Sequence, residues 1–222
     1  MVKAVFIDYM GTTVDEHSPE MAEIVRRICK NSSLHDPRQV QQFILDNRRR
    51  YETDSYLDAY LTQDEIVDRL ISDMEDQIGL TDEPSALRSL IRGHWVNAPV
   101  FADARIFFER CPVPIYIITN IGLPYMEQAL RRNELKAAGV ISADAARAYK
   151  PHRETFDEAL RISGCTPGEV VHIGDSYDTD VVGARVVGIR PVLLLRGHER
   201  QQDDVDAVDS LDQALELVFP KG

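Results

Sequence analysis

Short apolar runs alternate with longer amphipathic stretches over most of the chain. Four runs, KAVFI, PIYIIT, EVVHI and RPVLLL, end at polar or glycine residues, and GVISA at 139–143 is a weaker fifth. Continuous apolar runs of this length are typical of strands buried on both faces of a parallel sheet. The stretches between and after them, PYMEQALRRNELK, RETFDEALRISG, DTDVVGARVVG and SLDQALELV, have helical patterns. The alternation predicts an α/β fold with a parallel sheet.

A different pattern fills the region between Asp15 and about Asn97, where no strand-like run occurs. Helical patterns replace the apolar runs at 19–30, 37–51, 62–78 and 84–95. An insertion of roughly eighty residues is far longer than an ordinary strand-to-helix loop. We therefore expect residues 16–97 to form a second, helical domain, and residues 1–15 and 98–222 to form the core. The polar segments DEHSP and NAPVFAD are the expected linkers, and they should lie close together because they leave and re-enter the same sheet.

The composition limits the classes of partner. The 222 residues carry a formal net charge of −12 and have a pI near 4.9. This charge would repel a phosphate backbone, because nucleic-acid binders rely on Lys and Arg. A small anionic substrate remains compatible with it, since a metal ion or a few local cations dominate the field at a site. We expect a small-molecule anionic substrate, no nucleic-acid partner, and a monomer or homodimer.

Neither the cysteines nor the apolar segments point to a secreted or membrane protein. Cys29, Cys111 and Cys165 are odd in number and widely spaced, so we expect reduced thiols. No run reaches the length of a membrane span, and the first residues lack a long apolar h-region. The expectation is a cytoplasmic protein without membrane contact.

Chemically capable side chains follow the predicted strands. In a parallel α/β sheet, ligands bind outside the carboxyl ends of the strands. Residues at these positions, or just ahead of the following helix, are Asp8, Thr119, Asn120, Lys150, Asp175, Ser176, Asp178 and Asp180. Taken singly, each is as well explained as a helix cap or a turn residue. Together, a hydroxyl, a lysine and several carboxylates are expected to converge on one rim of the sheet.

The spacing of these groups resembles the haloacid dehalogenase superfamily of hydrolases, over essentially the whole chain. The four motifs of that family correspond here, in order, to DYMGT, IITN, YKP and GDSYDTD. The resemblance implies a Rossmann-like parallel sheet core with an inserted α-helical cap domain. It also implies that Asp8 is the nucleophile, since a carboxylate that attacks an electrophilic centre divides a hard displacement into two easier steps.

The resemblance further implies a Mg²⁺ cofactor and a set of site residues. Hard oxygen ligands suit Mg²⁺. The family pattern assigns the metal to Asp8, the backbone carbonyl of Met10 and Asp175, with Asp180 holding a metal-bound water. For the transferred group, whose oxygens need electrostatic stabilisation, it implies contacts with Gly11, Thr12, Thr119, Asn120 and Lys150.

Met10 departs from the family pattern, because the phosphatases of the family keep a second aspartate at this position. That aspartate protonates the leaving group and then activates water, and such assistance is typically worth about 10²–10⁴ in rate. A thioether does neither. Our leading interpretation is a Mg²⁺-dependent phosphatase that acts on a small phosphorylated metabolite through an aspartyl-phosphate intermediate. Tyr9, His17, a cap residue or solvent would then replace the acid.

Three alternatives stay open. DYMGTTVD is similar to the first motif of phosphonatases, which use a cap lysine. Lys30 is the only lysine between residues 16 and 97, and NRRRYE occupies the region where the family's lysine is expected. Dehalogenases also lack the second aspartate, but they lose the acid that corresponds to Asp175. The third alternative is a binding or regulatory protein on the hydrolase scaffold.

The cap is expected to close over the core and to select the substrate. Arg48, Arg49 and Arg50 are consecutive on a helical pattern, so they fan around the helix and at most one faces the core. Arg49 is our candidate for substrate contact. A solvated arginine face that pairs with the acidic cap is the alternative for each of them.

Overall fold

A parallel sheet forms the centre of the molecule. The computed structural model describes residues 1–220. Within these residues the strands are β1 (Ala4–Ile7), β2 (Ile115–Thr119), β3 (Gly139–Ser142), β4 (Val170–Gly174), β5 (Arg190–Leu194) and β6 (Asp206–Val208). They lie in the order β3-β2-β1-β4-β5-β6, and every pair is parallel. The predicted α/β fold with a parallel sheet is confirmed, including its weaker strand at 139–143.

Helices fill the insertion and connect the strands. In the described part of the chain they are α1 (Pro19–Asn31), α2 (Pro37–Asp54), α3 (Gln63–Ile78), α4 (Pro84–Asn97), α5 (Ala102–Arg110), α6 (Leu123–Asn133), α7 (Ala143–Ala146), α8 (Arg153–Ser163), α9 (Val182–Val186) and α10 (Leu211–Val218). Helices α1 to α4 lie where the sequence predicts the helices of the insertion. None of the helices within residues 1–220 is both long and apolar enough to span a lipid bilayer.

β1 lies between β2 and β4 because its side chains are apolar on both faces. Val5 and Ile7 belong to one buried cluster, which helices α5, α6 and α10 also form. Ala4 and Phe6 belong to a second cluster, with α8 and α9. Successive side chains of a strand point to opposite faces, so the two clusters lie on the two sides of the sheet. Asp8, which follows β1, is therefore placed in the middle of the rim.

The two segments that join the insertion to the core run side by side. The N–H of Asp15 donates to the carbonyl of Pro99 over 2.8 Å, and the N–H of Phe101 donates to the carbonyl of Thr13 over 3.1 Å. Helices α1 and α4, the first and last of the insertion, also pack against each other. The insertion thus leaves and returns at one place, next to the loop that carries Asp8. The division into a core and a cap domain remains our proposal.

Three elements differ from the sequence-based expectation. Helix α5 begins within NAPVFAD, for which the sequence predicts only a linker, and it buries Ala104 and Phe107 against the core. β6 is a three-residue edge strand, too short to give a periodic signal. The helix expected at 178–188 begins as a π-helical turn over Tyr177–Val181, and such turns are frequent at functional sites.

Candidate active site

The loop after β1 folds tightly against the loop after β4. Asp8 follows directly on β1 and is buried. Gly11 has a φ of +80°, and a Cβ there would lie 2.5 Å from Oδ2 of Asp175, so only glycine fits. The hydroxyl of Thr12 donates to Oδ1 of Asp175 over 2.6 Å. Glycine and threonine together bring Asp175 to the rim beside Asp8.

Lys150 connects two of the predicted acids. It precedes α8 and is buried, and its Nζ donates to Oδ1 of Asp8 over 2.5 Å and to Oδ1 of Asp180 over 2.6 Å. Its backbone N–H donates to the side-chain oxygen of Asn120 over 2.8 Å. Burial disfavours the ammonium, but the two carboxylates outweigh it and raise the pKa of Lys150 above its ordinary value. Lys150 is therefore a fixed cation within the site.

Asp180 is held from three sides. Besides the contact with Lys150, Nε2 of His172 lies 2.9 Å from Oδ1, and the N–H of Ser176 donates to Oδ2 over 3.1 Å. Burial alone would raise the pKa of Asp180, but Lys150 and His172 outweigh burial, and the pKa lies below its ordinary range. Gly174 leaves room for this side chain, because a Cβ there would collide with the Asp180 carboxyl group. Both oxygens of Asp180 are thus bound by protein groups.

Asp175 is the third acid, and no described residue forms an ion pair with it. One oxygen from each of Asp8, Asp175 and Asp180 lies within 4.8 Å of the others. Burial, and then the charges of Asp8 and Asp180, raise the pKa of Asp175 well above its ordinary value. Three carboxylates around one ammonium leave an excess of negative charge. A hard divalent cation would balance it, so the cluster fits Mg²⁺.

Met10 and Thr119 make different contacts. The Met10 side chain is partly buried against the cluster that contains Val5 and Ile7. Among the described residues none donates a hydrogen bond to its carbonyl oxygen, so that oxygen is available to a ligand. The Thr119 hydroxyl is buried and accepts the N–H of Ile121 over 3.2 Å, which is the contact of a turn residue.

The three consecutive arginines of α2 point in three directions. Arg48 and Arg50 pair with carboxylates of the insertion itself. Arg49 is half-exposed, and its Nη1 lies 3.7 Å from a carboxylate oxygen of Asp178 on the core. A cleft of about 590 Å³ opens at this point, and Arg49 lines it together with Gly11 and Asp175. The angular spacing of the three residues around α2 thus directs Arg49 across the cleft.

Three buried residues near the rim escaped the sequence analysis. The side-chain oxygen of Gln63 accepts the N–H of Gly122 over 2.9 Å. Oε2 of Glu52 accepts the side-chain amide of Asn120 over 3.2 Å. Glu52 stands in the polar run NRRRYETD, which has the composition of a solvated helix face, so no pattern marks it as buried. His172 interrupts an otherwise apolar strand, and that interruption is the one sequence signal that could have identified it.

Two proposed substitutes for the missing acid have different surroundings. Tyr9 is buried, and its hydroxyl accepts the side-chain amide of Asn133 on α6 over 3.1 Å. Burial raises the pKa of Tyr9 to about 12. A phenol that is hydrogen-bonded to a core helix and has so high a pKa is a poor proton donor for a substrate at the rim. His17 lines the cleft, is largely exposed, and lies 3.0 Å from Asp15.

Comparison with known sequences agrees with the family resemblance. A family model described as HAD-hydrolase-like matches residues 148–216, the segment with Lys150, Asp175 and Asp180. The glyceraldehyde 3-phosphate phosphatase of Methanothermobacter thermautotrophicus is 31% identical over 87 residues, which are 36% of this chain and 38% of that protein. The chain aligns with less than half the length of the curated relatives that it matches.

Comparison with solved structures extends over the whole chain. The L-2-haloacid dehalogenase from Xanthobacter autotrophicus superposes with a TM-score of 0.82 at 20% identity, over 100% of both chains. A putative HAD-hydrolase from Bacillus subtilis bound to magnesium superposes with a TM-score of 0.79 at 17% identity, over 98% of both chains. The matched segment and this fold both agree with a haloacid dehalogenase-like hydrolase. The resemblance seen in the sequence is confirmed.

Proposed function

We propose that the protein is a Mg²⁺-dependent phosphatase that acts on a small phosphorylated metabolite through an aspartyl-phosphate intermediate. The observation that carries this proposal is Asp175, a carboxylate beside Asp8 with no ion-pair partner among the described residues. Like charges repel, so a further acid at the rim would weaken the binding of an anionic substrate unless a cation is also bound. A bound Mg²⁺ supplies that charge, polarises the phosphoryl group and neutralises charge that develops during transfer.

The remaining roles are assigned to side chains of the chain itself. Asp8 attacks phosphorus in line with the leaving oxygen. Burial raises the pKa of Asp8, and the charge of Lys150, which favours the ionised carboxylate, opposes this rise in part. Lys150, Thr119 and Asn120 would stabilise the oxygens of the transferred group. Arg49 would contact the substrate from the insertion.

The first experiment measures phosphate release from p-nitrophenyl phosphate, with Mg²⁺ and with EDTA. We expect turnover with Mg²⁺ only, and its loss in Asp8→Asn. Asp76→Asn is the matched control, because Asp76 is an exposed carboxylate on α3. Turnover that survives in Asp8→Asn, or that proceeds equally in EDTA, would contradict the proposal.

The metal assignment has a separate test that needs no turnover. Asp175→Ala removes a carboxylate that has no ion-pair partner in residues 1–220, so we expect the heat of Mg²⁺ binding in calorimetry to disappear. The melting temperature of the metal-free variant should stay nearly unchanged or rise, because the repulsion between Asp175 and the neighbouring carboxylates is removed. Undiminished Mg²⁺ binding in Asp175→Ala would remove this residue from the metal site.

A hydrolytic dehalogenase is the second candidate. A structural neighbour bears that name, and Met10 would suit it, because a halide ion leaves without needing a proton. In that reaction Asp8 would attack carbon, and water would later hydrolyse the ester. Halide release from a 2-haloacid in the presence of EDTA would favour this candidate, whereas Mg²⁺-dependent phosphate release favours the phosphatase.

A phosphonatase and a binding or regulatory protein have weaker support. A Schiff base needs a cap lysine, and Lys30 is exposed in the last turn of α1. Assays with a phosphonate substrate test this route directly. A binding or regulatory protein would bind Mg²⁺ yet turn over no ester, phosphonate or haloacid. We also propose that the protein is a cytoplasmic monomer or homodimer.

A further inference from the structure

A buried carboxylate of the insertion reaches the rim of the sheet. Glu52 lies in the last turn of α2 and is 7% exposed. Its Oε2 accepts the side-chain amide of Asn120, which follows β2, over 3.2 Å. The oxygen of the same amide accepts the backbone N–H of Lys150 over 2.8 Å. Asn120 is therefore the single side chain between the Glu52 carboxyl group and the residue that holds Asp8.

The surroundings of Glu52 are largely apolar. It lines a cavity of about 70 Å³ inside the insertion, whose walls are mostly aliphatic side chains of α1, α3 and α4. The cavity has three further polar residues, Arg48, Gln63 and His94. A carboxyl group at such a boundary, with one side toward the rim and the other toward apolar side chains, retains its proton more readily than one in water.

The charged groups around Glu52 come from three places. On its own helix, Nε of Arg48 lies 3.8 Å from Oε1, and Arg49 is more distant. From the core, Lys150 and Tyr149 face it. Across the cavity lies His94, whose pKa is lowered by burial to about 4, so it is neutral near pH 7. Burial raises the pKa of Glu52, and Arg48 and the hydrogen bond from Asn120 oppose that rise.

We propose that Glu52 is the proton donor for the leaving group, and that it provides from the insertion the acid that Met10 cannot provide. This inference rests on the proposed phosphatase function. It extends that function to the substrate class, because a proton donor is needed for alkyl monoesters, whose alkoxide is a poor leaving group, and not for activated aryl esters.

One proton leaves Glu52 and one returns to it in each catalytic cycle. In the first step an oxygen of Asp8 forms a bond to phosphorus and the bond from phosphorus to the ester oxygen breaks. The ester oxygen keeps the electron pair and takes the proton of Glu52, so the alcohol departs and Glu52 becomes a carboxylate. In the second step water attacks phosphorus, and the bond from phosphorus to the Asp8 oxygen breaks with its electron pair on Asp8. One proton of the water passes to solvent, and Glu52 takes up a proton from solvent before the next turnover. Inorganic phosphate leaves, and both carboxyl groups return to their starting state.

The test compares Glu52→Gln with the parent on an alkyl phosphate and on p-nitrophenyl phosphate, both with Mg²⁺. Glutamine keeps the shape and an oxygen that accepts from Asn120, but it has no acidic proton. We expect kcat on the alkyl ester to fall about 10²-fold or more, and kcat on the aryl ester to change less than about threefold. Glu75→Gln is the control, because Glu75 is an exposed carboxylate on α3.

A pH profile gives a readout that a structural role would not move. A proton donor must be protonated, so the parent's activity on the alkyl ester should fall as the pH rises through the pKa of Glu52. The activity on the aryl ester should lack this descending limb of the pH profile. The comparison uses the parent alone, so it remains valid even if Glu52→Gln folds poorly. A limb shared by both esters, or equal losses of both activities in a folded Glu52→Gln, would overturn the inference while leaving the phosphatase proposal intact. No phosphate release by the parent from either ester would overturn both proposals.

Discussion

At the residue scale, position 10 combines an available backbone carbonyl with a side chain that has no proton to give. Met10→Asp adds a carboxyl group without moving Asp8, Lys150 or Asp175. Because Glu52 already supplies a proton in the parent, we expect little gain there, and a rise of at least about tenfold on alkyl phosphates in a variant without Glu52. Turnover of activated aryl esters should change little in either, since only alkoxides need a proton at departure. The added charge should also lower the melting temperature of the metal-free protein.

Position 10 and Glu52 can be tested against each other. If both supply the same proton, Met10→Asp should restore alkyl phosphate turnover in the Glu52→Gln background. Met10→Leu, which keeps the apolar volume, should restore none. If the double variant binds Mg²⁺ but turns over alkyl phosphates no faster than Glu52→Gln, a carboxyl group at position 10 cannot supply the proton.

Arg49 and Arg50 form a matched pair at the same scale. They are adjacent on α2 with similar exposure, 50% and 51% of their side chains, but Arg49 points across the cleft whereas Arg50 pairs with Asp73 on α3. We expect Arg49→Gln to raise KM for a phosphate ester by about three- to tenfold, with kcat nearly unchanged. Arg50→Gln should leave KM unaltered. Exposed ion pairs are worth roughly 0–1 kcal/mol, so melting temperatures should barely differ, and equal KM values in the two variants would contradict the assignment.

At the scale of elements, a buried pair joins the first and last helices of the insertion. The Ser18 hydroxyl accepts the N–H of Met21 at the start of α1 and lies 2.8 Å from Nδ1 of His94 on α4. Burial, reinforced by the charge of Arg48, lowers the pKa of His94 from 6.5 to about 4. The contact between the two helices therefore depends on a neutral imidazole.

This dependence predicts a loss of stability in mild acid. The unfolded chain binds a proton at His94 near pH 6.5 and the folded chain only near pH 4, so stability is complete above pH 6.5 and falls as the pH decreases toward 4. Between pH 7 and pH 5 the loss from this residue should be about 2 kcal/mol. Urea unfolding at both pH values measures it. His94→Gln should lose less over the interval than the parent, and His35→Gln, an exposed control, should behave as the parent.

The elements also show what a single sequence can predict. Strands β1 to β5 and helices α1 to α4 were predictable, because their apolar patterns report burial directly. β6 has three residues with an exposed aspartate, so its pairing with β5 depends on the rest of the sheet. Asp8, Lys150 and Asp180 were predictable as a group from motifs at strand ends. Glu52 was not, because its burial results from contacts between the insertion and the core, which no local pattern records.

At the scale of the whole molecule, side chains of the insertion hold it against the core. The Tyr125 hydroxyl on α6 lies 2.7 Å from both carboxylate oxygens of Asp64 on α3. The N–H of Gly122 donates to Gln63, also on α3. That amide is protected by a residue of the insertion, so its hydrogen exchange reports separation of the two parts.

Tyr125→Phe should favour separation of the insertion from the core. It removes a hydrogen bond to a charged group, typically worth about 1.5–3 kcal/mol, while the ring and its packing remain. We expect the Gly122 amide to exchange at least about tenfold faster, as measured by NMR. The Ile121 amide, which donates to Thr119 within the core, serves as the internal reference. Tyr177→Phe removes a similar contact, with Asp204 of the core, and should leave Gly122 unaffected.

The central position of β1 has a consequence for biosynthesis. Its two neighbours in the sheet, at 115–119 and 170–174, are translated after the whole insertion. At about 5–20 residues per second, the nascent apolar strand waits on the order of ten to thirty seconds for its second partner, while the helices of the insertion need only local contacts. Asp8 and Lys150 are separated by 142 residues. A chain whose synthesis stops before β4 therefore contains Asp8 and Lys150 but lacks Asp175 and Asp180, and its open strand edge is exposed to chaperones or to aggregation.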